Sequence, residues 1–290
     1  MKKSSSKSWL YSVLPGAVWI GFFFAVPLFF IAAISFLSRG EFGQVERPWT
    51  IENYKQLAGF GLFGFEPVYP MILLRSLVLA SITAALCALF SLPLAFFIRS
   101  LSGGRRTIAL VLLTVPIWTN LLVRTYAWQL LLAPDGWITR FAGLFGAVAP
   151  GQVLFPSTAA VLACLVCDFL PITALPVYAS VEKLEPALVE AARDLGASRW
   201  NVFRHGIYPQ ISSGLWAGII LVFLPALGQF VVPDLLGGAK TVLLGNLLQQ
   251  QFGPSRDWPF GAAITTVFLF IIAAVVLLYN RERPQEKEAV

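Results

Sequence analysis

The stretch Glu190-Ala191-Ala192-Arg193-Asp194-Leu195-Gly196, followed by Pro209, is a water-compatible segment set between two apolar runs. Pro186 suits the first turn of a helix, and Gly196 suits the position just past its end. Between them Ala187, Leu188, Ala191, Ala192 and Leu195 recur at helical spacing, with Glu190, Arg193 and Asp194 opposite. A face made largely of alanines permits close backbone approach to a partner. Ser198 is placed to cap a second short helix running to about His205, before Pro209 opens the next apolar run. An amphipathic helix of this kind either lies in another protein's groove or packs beneath its own bundle. Periodicity leaves both open.

Charges inside apolar runs are the second source of chemistry, because a charge within a membrane is costly. Asp168 falls mid-run beside Pro171. It needs a partner, for which Arg124 and Arg75 are candidates, or a water-filled cavity, or a cationic substrate. Asp234 follows Pro233 at the end of a later run, with Gln229 as a neutral polar step before it. Trp118, Tyr126 and Trp128 offer ring faces on which an ammonium gains about 0.5–2 kcal/mol, although such a stripe equally serves packing or lipid contact. These six residues form a candidate substrate path.

Other patterns are imitations. Cys164 and Cys167 have the spacing of a metal or redox pair, but no second Cys or His pair stands near to complete a site. With Cys87 they read as small apolar helix residues, and neither a metal nor a cofactor is expected. The only histidine, His205, lies in the polar loop, so no nucleophile–base pair can be assembled within the apolar runs and no catalytic residue is assigned. Gly237-Gly238-Ala239-Lys240-Thr241 mimics a phosphate loop. That pattern requires glycines where Ala239 and Asp234 stand, so ATP hydrolysis belongs to a different chain.

The elements that must position these residues are long and apolar. Of 290 residues 57% are hydrophobic and 12% charged, and the mean hydropathy is +0.75; soluble domains average about 25% charged. The +6 net charge is scattered at the ends of apolar runs rather than gathered on one face, which argues for topology over nucleic-acid binding. A bilayer core needs about 20 apolar residues of helix. Six runs qualify: Leu10–Leu37, Ile72–Ile98, Ile108–Leu132, Thr158–Tyr178, Ile211–Val232 and Phe260–Tyr279. The first is too long for a secretory signal and lacks a clean cleavage site, so it reads as an uncleaved helix. Lysines and arginines (Lys2, Lys3, Lys7, Arg99, Arg105, Arg106, Lys183, Arg193, Arg199, Arg204, Arg281, Arg283, Lys287) collect on one side. By the positive-inside rule both termini and the 183–209 loop are cytoplasmic. Prolines 15, 27, 93, 116, 171, 176 and 225 stand within the runs and predict kinks, either ordinary ones or those of a path that opens and closes. The expectation is an all-α bundle of six membrane helices, one domain over 1–290, with 41–70 a long external loop.

Glu190-Ala191-Ala192, Gly196 and Pro209 resemble the loop that marks permease subunits of ATP-binding-cassette importers. Gly206 and Tyr208 depart from the family pattern, which has an aliphatic residue and a leucine there. The chain is further similar to permeases of spermidine/putrescine importers, through Trp118–Trp128, Glu190–Ser198, Pro225–Gly228, Val232–Gly238 and Arg256–Phe260. The resemblance runs from the third span to the sixth and implies a type I importer permease fold. It further implies that Glu190, Ala191, Ala192, Asp194 and Gly196 sit in a groove of a cytoplasmic ATPase, present in two copies. A second, related permease and an external solute-binding protein complete the complex, in the inner membrane of a bacterium. The expected solute is a polyamine; importers of iron, thiamine or oxyanions share the loop. A channel or secondary carrier is the competing class, and it has no use for the Glu190 loop.

Overall fold

The computed structural model describes residues 6–41, 43–61, 64–146, 154–238 and 241–282. Lys2, Lys3, Arg283 and Lys287, used above for orientation, lie outside them, as do Ala239 and Lys240 of the phosphate-loop mimic. The chain divides into two compact units: residues up to Pro70 with Leu248–Ala273, and Met71–Leu247 with residues from Ala274.

In the first unit, helix α1 (Ser6–Ile34) runs through Pro15 and Pro27, and no residue of its most apolar window is buried. Its last carbonyls accept from Ser35 N, Phe36 N, Leu37 N and the Ser35 hydroxyl, and the chain that follows is held by Asn53, which donates to Ser35 O at 2.9 Å and Leu37 O at 2.8 Å. Asn53 belongs to α2 (Glu52–Leu57). Two small antiparallel hairpins flank α2, β1 (Ser38–Arg39) with β2 (Val45–Glu46) and β3 (Phe60–Gly61) with β4 (Gly64–Phe65). The segment expected as a plain loop is therefore built. Arg39 fastens the first hairpin by donating to Ser255 O at 2.7 Å and facing Asp257 at 3.7 Å.

The second unit is organised around α7 (Thr158–Glu182), whose Val161, Cys164, Leu165, Ala174, Val177 and Val181 are buried. Beside it α3 (Val68–Ser100) presents Ala80, Ala84, Cys87, Ala88, Ser91 and Ala95, a face of small side chains. Small residues let membrane helices approach closely where no hydrophobic force drives them together. The Cys87 thiol reaches Val166 O at 3.6 Å. Helix α10 (Tyr208–Leu227) runs antiparallel along α7 and carries Gly214-x-x-x-Gly218 at the contact. A Cβ at Gly218 would stand 2.9 Å from Thr173 Cγ2 and 3.1 Å from its carbonyl oxygen, and one at Gly214 would collide with Ser180.

Five helices are long and apolar enough to cross a membrane, among the described residues, and one bent pair of helices passes the same test when taken together. That pair corrects the third expected span. In place of one helix over 108–132, α4 (Gly104–Trp118) ends at Thr119, and α5 (Leu121–Leu132) with α6 (Trp137–Leu144) departs at 95°. The missing N–H of Pro116 weakens the last turn of α4, and the Asn120 side chain accepts from Leu122 N and Val123 N to start a new helix. The fifth span also differs. It begins earlier, continuous with the preceding segment, and stops at Gly228, after which α11 (Val231–Gly237) is a separate helix. Helices α3, α7 and α10 pass through Pro93, Pro171, Pro176 and Pro225 without ending there. Helix α12 (Leu244–Phe252) precedes the last span, α13 (Trp258–Glu282).

Candidate functional site

The polar segment folds as the spacing predicts. Helix α8 (Pro186–Asp194) has Pro186 in its first turn. Its end is closed by Gly196 N donating to Arg193 O at 2.9 Å and Ala197 N donating to Ala192 O at 3.2 Å. This paired arrangement needs a left-handed residue at its centre, and Gly196 has φ +74°. Ser198 accepts from Asn201 N, starting α9 (Arg199–Asn201), which passes through a π-helical turn (Val202–Ile207) into α10. Pro209 sits in the first turn of α10 and makes no break, contrary to the two separate helices expected.

The elbow is fastened on one side and free on the other. Val189, absent from the predicted apolar face, is the side chain that buries, and Ala192 turns with it, three residues on, towards the bundle. Both pack on a cluster with Ile98, Val177, Val181, Leu184, Val202 and Ile211. The rest of the apolar face is uncovered: Ala187 and Ala191 are exposed, Leu188 is 51% exposed and Leu195 87%. Glu190 and Asp194 are exposed beside them. Of the two alternatives left open by periodicity, packing beneath its own bundle is realised on one flank, and the opposite flank stays exposed.

The base of the elbow is braced by residues that sequence reading treated only as topological charge. Arg99, at the end of α3, donates to Val181 O at 2.7 Å and Leu184 O at 3.0 Å, clamping the last turn of α7 and the chain just beyond it. Arg106 on α4 donates to the Tyr178 hydroxyl at 2.5 Å, pairs with Glu182, and lies 5.4 Å from the Tyr178 ring centre. Gln210 accepts from Glu185 N at 3.0 Å and donates to Gly206 O at 2.6 Å. A basic residue at a span end is a weak signal of this role. Nothing in the pattern marked Gln210.

About 21 Å along α7 from Glu182, by the rise of 1.5 Å per residue, Asp168 is 5% exposed. Of its two candidate partners it takes Arg124, whose Nε lies 2.5 Å from Asp168 Oδ1, while Arg75 is exposed on α3. The Arg124 guanidinium also donates to Pro116 O, a terminal carbonyl of α4, where the helix dipole favours a cation. One side chain thus joins both halves of the broken third span to α7. Cys164 adds a weak contact to Asp168 at 3.8 Å.

Gln229 stands in the α10–α11 break, and Asp234 lies in the first turn of α11. The Gln229 amide oxygen accepts from Phe230 N at 3.1 Å. Asn246, which the sequence did not single out, donates to Phe230 O at 2.9 Å and to the exposed Asp234 carboxylate. Trp118, Tyr126 and Trp128 do not form a wall: among the described residues no ring contact joins them. Trp118 is 87% exposed at the end of α4, Tyr126 is exposed and Trp128 half-buried on α5. Gln129 donates to Leu235 O at 2.6 Å, tying α5 to α11.

Comparison with known proteins places this arrangement. The spermidine/putrescine transport system permease protein PotB of Salmonella typhimurium is 37% identical over 280 residues, covering 96% of this chain and 95% of that one. The Escherichia coli protein of the same name is 38% identical over 264 residues, covering 91% and 93%. In fold the chain is similar to a bacterial ABC transporter involved in the import of alginate, with a TM-score of 0.65 at 18% identity, covering 96% of this chain and 97% of that one. Residues 4–282 match the binding-protein-dependent transport system inner membrane component family, and the chain belongs to that family of inner-membrane, multi-pass transport permeases.

Proposed function

We propose that this chain, acting as one permease domain over its whole length, is a transmembrane subunit of an ATP-driven importer that carries polyamines such as spermidine and putrescine. The observation that carries the coupling is the free flank of α8. Ala187, Leu188, Ala191 and Leu195 stand uncovered on a helix whose other flank and both ends are pinned. A pinned helix transmits displacement, and its uncovered apolar flank fits a groove in a cytoplasmic ATPase. Glu190, Ala191, Ala192, Asp194 and Gly196 form or shape that contact, and the ATPase chains perform the hydrolysis. Since this chain supplies one elbow, two ATPases require a second, related permease. An external solute-binding protein delivers the solute. Both termini and α8 face the cytoplasm, as the lysine and arginine placement argues.

The polyamine assignment is supported by the likeness to spermidine/putrescine permeases over more than nine-tenths of the chain. Asp234, Gln229 and the region around Asp168 form the path, with Trp118, Tyr126 and Trp128 contributing ring faces along it. Arg124 neutralises Asp168, so an ammonium passing there meets a carboxylate already shared. Weak binding of this kind suits a solute that must leave again.

The test is uptake of labelled spermidine by vesicles holding the full transporter. Glu190→Ala and Leu195→Asp should abolish ATP-dependent uptake while leaving the protein inserted and folded. Uptake that persists in both variants would remove the coupling reading. ATPase activity stimulated by an anion and by no amine would remove the polyamine.

A further inference from the structure

We infer that the folded segment after α1 holds a binding site for organic ammonium groups, in the cavity bounded by Glu52, Gln56, Phe60, Glu66 and Tyr69. The inference rests on the polyamine reading and deepens it, adding an amine-collecting site to this chain outside the path residues named above. The cavity has a volume of about 510 Å³, and among the described residues its lining carries two carboxylates and no basic side chain.

Three pieces of chain build it. Helix α2 contributes Glu52 and Gln56, four residues apart and hence on one face. The β3 strand contributes Phe60, and the chain returning into α3 contributes Glu66 and Tyr69. The walls are tied together: Glu66 N donates to Gly59 O at 2.7 Å, and Gln56 Nε2 donates to the Tyr69 hydroxyl at 3.3 Å. Gly59 takes φ +94°, and a Cβ there would stand 3.0 Å from Glu66 O, so this closure requires glycine. Tyr69 is held from behind by the Phe260 ring at 4.9 Å, and Phe60 by the Phe65 ring at 5.4 Å.

The chemistry selects the ligand class. A linear diamine or triamine has ammonium groups separated by methylenes, and the cavity offers carboxylates together with aromatic surface for those methylenes and for cation–π contact. An anion would face two negative groups without a counter-charge in the lining. Glu52 shares Oε1 with Lys55 Nζ at 2.7 Å, but both side chains are exposed and such a pair is readily exchanged. Glu66 has no ion-pair partner among the described residues.

The experiment uses the complete transporter in nanodiscs and a diazirine-bearing diamine, with labelled residues mapped by mass spectrometry. Labelling is expected within residues 52–69 and is displaced by putrescine or spermidine. In Glu52→Gln/Glu66→Gln it should fall about fivefold, the change that loss of partly screened charge pairs supports. Glu41→Gln, a carboxylate outside the cavity, should leave labelling intact. Absence of label from the segment, or equal labelling in the double variant, overturns the inference. Spermidine uptake in the same preparation keeps the two readings apart. A transporter that imports spermidine with its segment unlabelled loses only the amine-collecting site, whereas a labelled segment in a transporter that imports no polyamine keeps that site and loses the transport reading.

Discussion

Replacing Arg124 by methionine keeps the stem and removes the charge that holds Asp168. With Nε and Oδ1 2.5 Å apart, an effective dielectric constant of about 20 gives an attraction of about 7 kcal/mol. Desolvation of both groups offsets much of this. Removing one partner leaves the other buried and uncompensated, which costs about 3–5 kcal/mol. Arg124 also satisfies Pro116 O at the end of α4, so the loss frees the two halves of the third span from α7 as well as stranding a carboxylate. Thermal unfolding of the purified chain in detergent, followed by intrinsic fluorescence, should show Arg124→Met melting on the order of 10 °C lower, at a few degrees per kcal/mol. Asp168→Asn alone should also destabilise, and the double variant Arg124→Met/Asp168→Asn should recover a large part of the loss, because no unpaired charge remains. That non-additivity is the signature of direct coupling. If the two substitutions simply add, or if Arg124→Met melts with the parent, the guanidinium does not anchor the break and the reasoning fails.

Other perturbations read other parts of the structure. Gly218→Leu drives a side chain into Thr173 and should cost about 1–3 kcal/mol by overpacking; Gly21→Ala on α1, where nothing lies within 4 Å, should melt unchanged. Gly196→Ala forces a side chain into φ +74° at a cost of about 1–2 kcal/mol, and should lower spermidine uptake per ATP hydrolysed, measured with both activities in one preparation. Arg99→Met withdraws two charged donors from the end of α7, each worth about 1.5–3 kcal/mol; hydrogen exchange should rise across residues 181–198 and stay level in α13. Leu195→Asp changes an exposed position and should leave the melting of the isolated chain within about 0.5 kcal/mol, even as it weakens co-purification with the ATPase.

How much could be read beforehand depended on the range of the forces involved. Lipid solvation acts along the chain, so the apolar runs located α1, α3, α7, α10 and α13 to within a few residues, except for the start of α10 and the separate α11. Helix ends obey rules that span a single turn, and Pro186, Gly196 and Ser198 were accordingly legible at the elbow. The small hairpins after α1 were not, because two-residue strands carry no periodicity.

What spacing alone could not supply was any pairing across elements. The 95° break after Trp118 follows from Pro116 and Asn120 together with a guanidinium four residues beyond Asn120, but that guanidinium finds its carboxylate forty-four positions on. Which flank of α8 is buried was decided by Val202 and Ile211 arriving from the following helices, and no count of apolar positions within α8 contains that information. The amino-acid sequence by itself determined a chain that must live in a bilayer and must carry one short helix outside it. Tertiary structure decided which charges are matched, which face of that helix stays free, and where the third and fifth helices break, because those outcomes depend on burial and electrostatics between residues that meet only after folding.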